Sequence, residues 1–364
     1  MKKLILNIGQ EAVVGAVYET VGKSKNIRRV IELSCLEYYN NAGRLDIGRI
    51  AVAISKLLPR DCRHLDIDLI LPTYVTENVY VDAINEKAEK DQEKENKIKT
   101  EKVVFVGESQ TKKINQVITY NNKELASIVS AFHRQKLNVV RALSNMTCYH
   151  NYVSLFNHSE MYGNMEFKTH VCIVWGVSKI QYFVMLGNLP VEVRTANYSL
   201  TEFYGDLVAM GCDLPLSYVL KALNNLRIST NPDDGLIIEH DSSTITDGPR
   251  TIELDETVML SIKNAFYSFV TGMAADVRSV YDYVREKYSS ANVHVCTNSK
   301  LLDECLCKTF GDTFPVEYLN ETSQVEVYNT RFHLKSIPEI TDKYAPIIGC
   351  AIEGIKKGGD FYDA

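Results

Sequence analysis

Leu4–Glu19 reads LILNIGQEAVVGAVYE, and His170–Met185 reads HVCIVWGVSKIQYFVM. Each is an apolar strand, a turn opened by glycine (Gly9, Gly176) and a second strand of mixed alternation, the pattern of a β-hairpin. The two start about 165 residues apart, and each is followed by more strand-like sequence and then a helical stretch. That arrangement predicts two related lobes, each begun by a hairpin. A glycine-opened turn has no Cβ to keep a ligand from its backbone N–H groups, so two such turns facing across a cleft suit a nucleotide's phosphates. Taken alone, the pattern equally fits an ordinary pair of tight turns.

Outward from the first hairpin, Arg49–Leu58 places Ile50, Ile54, Leu57 and Leu58 at helical spacing, and the strand-like His64–Leu71 follows. Residues 85–102 hold six acids and six bases with almost no apolar residue, so they are expected to be solvated and to bury nothing. Val103–Gly107 and Ile114–Tyr120 read as strands, Lys123–Gln135 as an amphipathic helix on Leu125, Ile128, Val129 and Phe132, and Leu137–Leu143 as a strand. Together they predict a β-β-α-β subdomain inserted in the first lobe over roughly 81–145. Beyond the second hairpin, Leu216–Leu226 reads as a short helix and the turn-rich 229–250 as loop. Thr257–Tyr288 reads as one long helix or two broken at Gly272; Val293–Cys296 reads as a strand, and Lys300–Phe310 and Pro346–Ile355 as helices.

The chain has 364 residues, with 40 Lys+Arg against 46 Asp+Glu for a net charge of −6. Two domains or one two-lobed fold are expected at that length. A mildly acidic balance argues against a non-specific nucleic-acid binder, which needs a basic face. Asn7, Gln10 and Glu11 interrupt the apolar run behind Lys2 and Lys3 before a signal-peptide core can form, and no window holds 18 consecutive apolar residues. Nine scattered cysteines, an odd number, fit free thiols of a reducing compartment, so a soluble cytoplasmic protein is expected.

Other chemistry is thinly supported. Cys305 and Cys307 lack a second pair at zinc-finger spacing, and Cys148, His150 and His158 lack a fourth ligand, so no metal site is expected. Asp66 and Asp68 alternate as polar positions of a half-buried strand do. Gly107–Lys113 (GESQTKK) lacks the second glycine of a phosphate-binding loop, and no GxSxG, HExxH or GxGxxG occurs.

The order of parts resembles the actin-like ATPase superfamily, in the branch that contains the type IV pilus protein PilM and the cell-division protein FtsA. Leu4–Gln10 sits where that family's first phosphate hairpin falls, and His170–Asn197 resembles the second hairpin with its following strand. Gly43–Leu58 (GRLDIGRIAVAISKLL) resembles the stretch before the strand ending in Pro72, and Glu124–Phe156 the branch's inserted subdomain. Ala274–Ser299 resembles the helix leading into the adenosine strand, Pro315–Asn320 (PVEYLN) a late strand, and Tyr344–Gly354 (YAPIIGCAIEG) the closing helix. The resemblance spans nearly the whole chain. It implies an α/β, ribonuclease H-like two-lobed fold: a first lobe over 1–80 rejoined by a helix at 341–357, an inserted subdomain over 81–160, and a second lobe over 161–340.

The family's site falls on Asn7, Gly9, Gln10, Gly176, Ser178, Thr297 and Asn298 as a vestigial nucleotide site. Asn7 and Val174 stand where the family has aspartates that organise Mg²⁺, with the bulky Trp175 beside the latter. Cys296-Thr297-Asn298-Ser299 has no glycine where the family's turn is glycine-rich. With all three elements altered, the expectation is a PilM-like scaffold without catalytic residues or ATP hydrolysis, binding the cytoplasmic tail of a PilN-like inner-membrane protein beside the pilus or secretion motor. The tail groove is placed near Leu71–Asn85 and the helix of Leu125 and Phe132, and self-association is allowed for. KKGGDFYDA ends the chain without an amphipathic membrane helix, so membrane attachment is expected through the partner. The alternative is an active actin-like ATPase that binds ATP and Mg²⁺ and forms filaments, of the pilus or cell-division type.

Overall fold

A computed structural model describes residues 2–21, 24–82, 99–106, 113–154, 169–186, 189–196, 198–231, 235–247, 250–288, 293–297, 305–306, 308, 316–318, 332–335 and 344–356. Two sheets organise it. In the first, β1 (Lys2–Ile8), β2 (Ala12–Val21) and β3 (Ser24–Ser34) form an antiparallel meander, and β4 (Ile67–Leu71) and β8 (Val139–Ser144) add in parallel beside β1. In the second, β9 (Thr169–Trp175), β10 (Ile180–Leu186) and β11 (Leu189–Thr195) form the meander, and β16 (Val293–Thr297) and β17 (Val316–Tyr318) add in parallel beside β9. The orders β3-β2-β1-β4-β8 and β11-β10-β9-β16-β17 are the same topology twice, with β18 (Phe332–Lys335) extending the first sheet beside β3. The chain is two like lobes, as the paired hairpins predicted.

Period-two alternation assigns each face. Leu4, Leu6 and Ile8 face the first lobe's outer core with helices α1 (Ile47–Leu57) and α2 (Asn122–Arg134), while Ile5 faces inward. On β9, Val171, Ile173 and Trp175 face the second lobe's outer core, and Cys172 and Val174 face inward. That outer core is closed by α4 (Leu200–Ala209), α5 (Leu216–Leu223) and α6 (Glu256–Tyr288). Between the two inner faces lie α3 (Asn145–Ser154) and α7 (Ala345–Lys356), sharing one apolar cluster with both sheets. Helix starts follow capping chemistry: the side chains of Asp46, Asn121 and Ser199 accept from the backbone N–H of Arg49, Glu124 and Glu202.

Several expectations change. The segment expected as a β-β-α-β block divides. β5 (Thr76–Asp82), β6 (Lys99–Val106) and β7 (Lys113–Tyr120) make a separate three-stranded sheet, whereas β8 joins β4 in the first lobe and α2 covers that lobe's sheet. A parallel β4–β8 pair needs a long crossover, and α2 supplies its helix. The stretch 229–250, expected as loop, instead forms two hairpins with its neighbours: β12 (Leu226–Asn231) with β13 (Gly235–His240), and β14 (Thr244–Asp247) with β15 (Arg250–Glu253). Buried Leu226, Ile228, Ile238 and Ile245 anchor them, with Leu236 and Ile252 packed more loosely against the same core. α6 is a single helix of 33 residues that passes through Gly272, whose Cβ position is open space. β4 is buried at every residue rather than half-buried, with Asp68 held by Lys3 and Arg141. Most of 85–102, and GESQTKK up to its last residue Lys113, lie outside the described residues. Among the described residues no helix is long and apolar enough to cross a membrane.

Edge strand β11 is tied to the end of α6 through Glu192, which pairs with Arg194 (2.7 Å) and Lys287 (3.0 Å) and accepts from the Tyr283 hydroxyl (3.2 Å). Burial pushes the Glu192 carboxyl up, but hydrogen bonds from Lys287 and Arg194 outweigh it and hold it below the ordinary value. A folded-state value below the unfolded one contributes stability above the unfolded carboxylate range, lost as pH falls through the folded value. Glu192→Gln is therefore expected to unfold at lower urea than the parent at neutral pH, with the gap closing as pH falls through and below the ordinary carboxylate range. A gap that stays constant across that range removes the ion pair as its cause.

Candidate functional site

The two hairpin turns face each other across a cleft between the lobes, lined by Asn7, Gly9, Gln10, Glu11, Val174 and Gly176 among others. Alternation explains why Asn7 and Val174 are there: each is the last inward-facing residue of its lobe's first strand. Trp175 contributes only to the rim, since its side chain points the other way, into the outer core at 5.7 Å from the Phe269 ring. Four of the residues expected from the sequence, Asn7, Gly9, Gln10 and Gly176, are thus brought together. Ser178 follows in the second turn, its Oγ buried without a hydrogen-bond partner among the described residues. Thr297 is buried in β16 opposite Ile173 and does not line the cleft, and Asn298 lies outside the described residues.

In each turn the glycine N–H is already engaged within the hairpin. Gly9 N–H donates to the Ala12 carbonyl (3.1 Å), and Gly176 N–H to the Lys179 carbonyl (3.0 Å). The space that a missing Cβ leaves over Gly176 is taken by Thr73 Oγ1 from the opposite lobe. The first turn is also held from behind, because the Cys35 thiol (3.0 Å) and the Tyr39 hydroxyl (3.0 Å) both donate to the Gln10 carbonyl. Burial, above all, pushes the Tyr39 phenol well up, with Cys35, Tyr74 and Glu11 adding to it.

A strap over residues 35–46 then ties the lobes together across the cleft. Leu36 is buried in the second lobe's core. Asn41 Oδ1 accepts from the Leu216 N–H (3.2 Å), so a first-lobe side chain caps the first turn of α5. Gly43 adopts φ +68° and packs against Thr201, Ser178 and Val177, where a Cβ would collide with the Thr201 methyl. Only glycine meets both demands. The turn signal Asn40-Asn41-Ala42-Gly43 was available in the sequence, but nothing in it tells that the turn lands on the other lobe.

ATP with Mg²⁺ does not fit these residues. Glu11 is the only charged residue among the described residues that line the cleft. No carboxylate stands at Asn7 or Val174 to orient a hydrated Mg²⁺. The cleft leaves about 30 Å³ for water-sized groups, against roughly 10–15 Å³ for one water on that measure. Among the described residues no three His, Cys, Asp or Glu side chains converge on a metal-sized site.

Among solved structures, the PilM-PilN type IV pilus biogenesis complex matches over 97% of this chain and 98% of its own, at 14% identity and a TM-score of 0.63. The fold is actin-like, of the PilM kind. Lower matches are a Bacteroides thetaiotaomicron protein with an actin-like ATPase fold and unknown function (8% identity, 95% of each chain, TM-score 0.41) and MreB5 of Spiroplasma citri bound to AMPPNP (11% identity, 98% and 97%, TM-score 0.42). No family model and no curated protein matches the sequence. Of the residues to which the resemblance assigned the nucleotide, Asn7, Gly9, Gln10 and Gly176 line this cleft. Cleft residues that sequence reasoning missed, such as Thr73, Tyr74, Asn145 and Tyr149, carry no motif and reach the site only through chain packing.

Proposed function

We propose that the chain is a PilM-like adaptor of a type IV pilus or related secretion assembly, which holds the cytoplasmic tail of a PilN-like membrane protein and hydrolyses no ATP. The observation that carries this reading is the end-to-end match to the PilM fold together with a cleft that the opposite lobe and the strap have closed. Lobes tied together by contacts across the cleft suit a docking platform, whereas nucleotide turnover in a two-lobed fold needs lobes that part and close. The protein would lie at the cytoplasmic face of the membrane, held there by the partner. The proposed groove runs between the first lobe and the β5-β7-β6 sheet. Half-buried Leu125 is available to its wall, whereas Phe132 on the same helix is wholly buried in the outer core.

Calorimetry tests the reading with a synthetic peptide of the cytoplasmic tail of the bitopic membrane protein encoded beside this chain. Saturable one-to-one binding without added nucleotide is expected. No binding to that tail, or measurable Mg-ATP turnover by the protein alone, overturns it.

A further inference from the structure

A single exposed leucine is ordinary on a protein surface and needs no explanation. Leu57 differs in where it stands. It continues the core-facing stripe of α1 from Ile50 and Ile54, which are wholly buried, yet at the helix's last residue it is 54% exposed. Cationic side chains surround it. Exposed Lys56 precedes it, and Arg60 and Arg63, both exposed, follow on the turn that leads to β4. Arg63 is fixed there, donating through Nε to the Leu58 carbonyl (3.1 Å) and through Nη2 to the Lys56 carbonyl (3.3 Å). Those bonds cover the negative end of the helix. Lys2 of β1 and Arg28 of β3 join the same corner. Burial pushes the Cys62 thiol up, Asp61 adds to it, and Arg28 and Lys2 oppose it, so these charges gather about one buried sulfur.

Carboxylates do not balance this corner. Asp61 pairs with Arg28 (3.8 Å), Glu19 stands opposite Lys2 in the β1–β2 ladder, and Asp66 accepts from the Asn138 amide (2.8 Å). Lys56, Arg60 and Arg63 have no carboxylate partner among the described residues. In a chain of net charge −6 this is a local reversal of sign. A basic cluster with an apolar side chain at its centre suits an anionic bilayer surface: headgroup phosphates meet the cations, and the leucine enters the acyl boundary. Nucleic acid would use the charges and leave Leu57 idle.

We propose that this corner of the first lobe, the end of α1 with the turn after it, is a docking surface for anionic phospholipid. The contact is reversible, since stable anchoring takes a second signal. It does not rest on the adaptor reading: tail capture and lipid contact use different residues and are measured separately.

Flotation of the full chain with phosphatidylcholine vesicles, with and without phosphatidylglycerol, tests this. Binding is expected only to the vesicles that contain phosphatidylglycerol. It should fall away between about 0.1 M and about 1 M salt, as the screening length drops from about 10 to about 3 Å. Each cation near an anionic surface is worth about fivefold in partitioning, so Lys56→Gln combined with Arg60→Gln should weaken binding about 25-fold. Leu57→Gln should weaken it several-fold and leave its salt dependence unchanged. All three side chains are exposed, so the variants should keep the parent's urea midpoint. Arg227→Gln with Arg285→Gln removes the same charge from exposed positions of the second lobe and should bind as the parent does. No binding to phosphatidylglycerol vesicles, equal binding to neutral ones, or binding that survives both first-lobe variants overturns the proposal. So does equal binding to single-stranded DNA at the same salt, which would make the corner a general polyanion site.

Discussion

Gly349→Ala is expected to destabilise the protein by about 3 kcal/mol, at the upper end of what one added methyl costs in a packed core. Gly349 lies on α7 where it crosses α3. A methyl there would fall inside the contact radius of the Cys148 carbonyl oxygen, 2.8 Å from its carbon and 3.2 Å from its Cα. All three are backbone, which cannot swing aside as a side-chain end can. Neither helix can retreat, because Tyr149, Tyr152 and Val153 on one and Ile347, Ile348 and Ala351 on the other are buried between the two sheets. The Asn151 amide also donates to the Gly349 carbonyl (3.4 Å) at the same crossing. Urea midpoints measure the loss. Gly272→Ala on α6 is the control: its Cβ position is open and helical, so the same change should be neutral or stabilise by up to about 1 kcal/mol. If both variants unfold with the parent, the close crossing of α3 and α7 is not what holds the lobes together.

Asp68→Asn is expected to cost about 2–3 kcal/mol. Asp68 sits on β4 with its side chain 6% exposed, between Arg141 of β8 (3.0 Å) and Lys3 of β1 (3.4 Å). Asparagine keeps the shape and removes the charge, leaving two cations side by side with no anion between them. Removing one partner of a fully buried pair costs about 3–5 kcal/mol. The lower figure holds here because both cations keep some contact with water. Asp68→Asn combined with Arg141→Met should recover part of the loss, since the residues are in contact and their effects cannot add. A denaturation midpoint unchanged by Asp68→Asn would reduce the cluster to a solvated surface pair.

Asp68 also illustrates how sequence and structure divide the account. Its alternation with Asp66 in HLDIDLIL reads as a half-buried strand, yet β4 is central and buried on both sides. Period-two patterning reports polarity at each position, and a buried ion pair is polar without being exposed. The hairpins at Gly9 and Gly176, the helices over 47–57 and 122–134, and the long α6 were all legible, because each follows from a local period that no distant contact has to supply. The β12–β15 hairpins were not legible, since each strand commits few residues to the core and their turn signals dominate the composition. Helical spacing picks out Phe132 as part of an apolar face, but periodicity marks a helix's apolar face without saying what that face covers.

By itself, the sequence determined the two hairpin-led lobes and the lack of carboxylates at Asn7 and Val174. Local pattern and residue identity suffice for these. Only the tertiary structure decided that β8 belongs to the first lobe's sheet, that Trp175 turns away from the cleft, and that Thr73 occupies the space over Gly176. It also decided that Asn41 and Gly43 reach across to the other lobe, 175 residues away in the chain at the Asn41–Leu216 bond. Those contacts depend on which surfaces meet, and long-range packing is set by the whole chain's burial rather than by any local period.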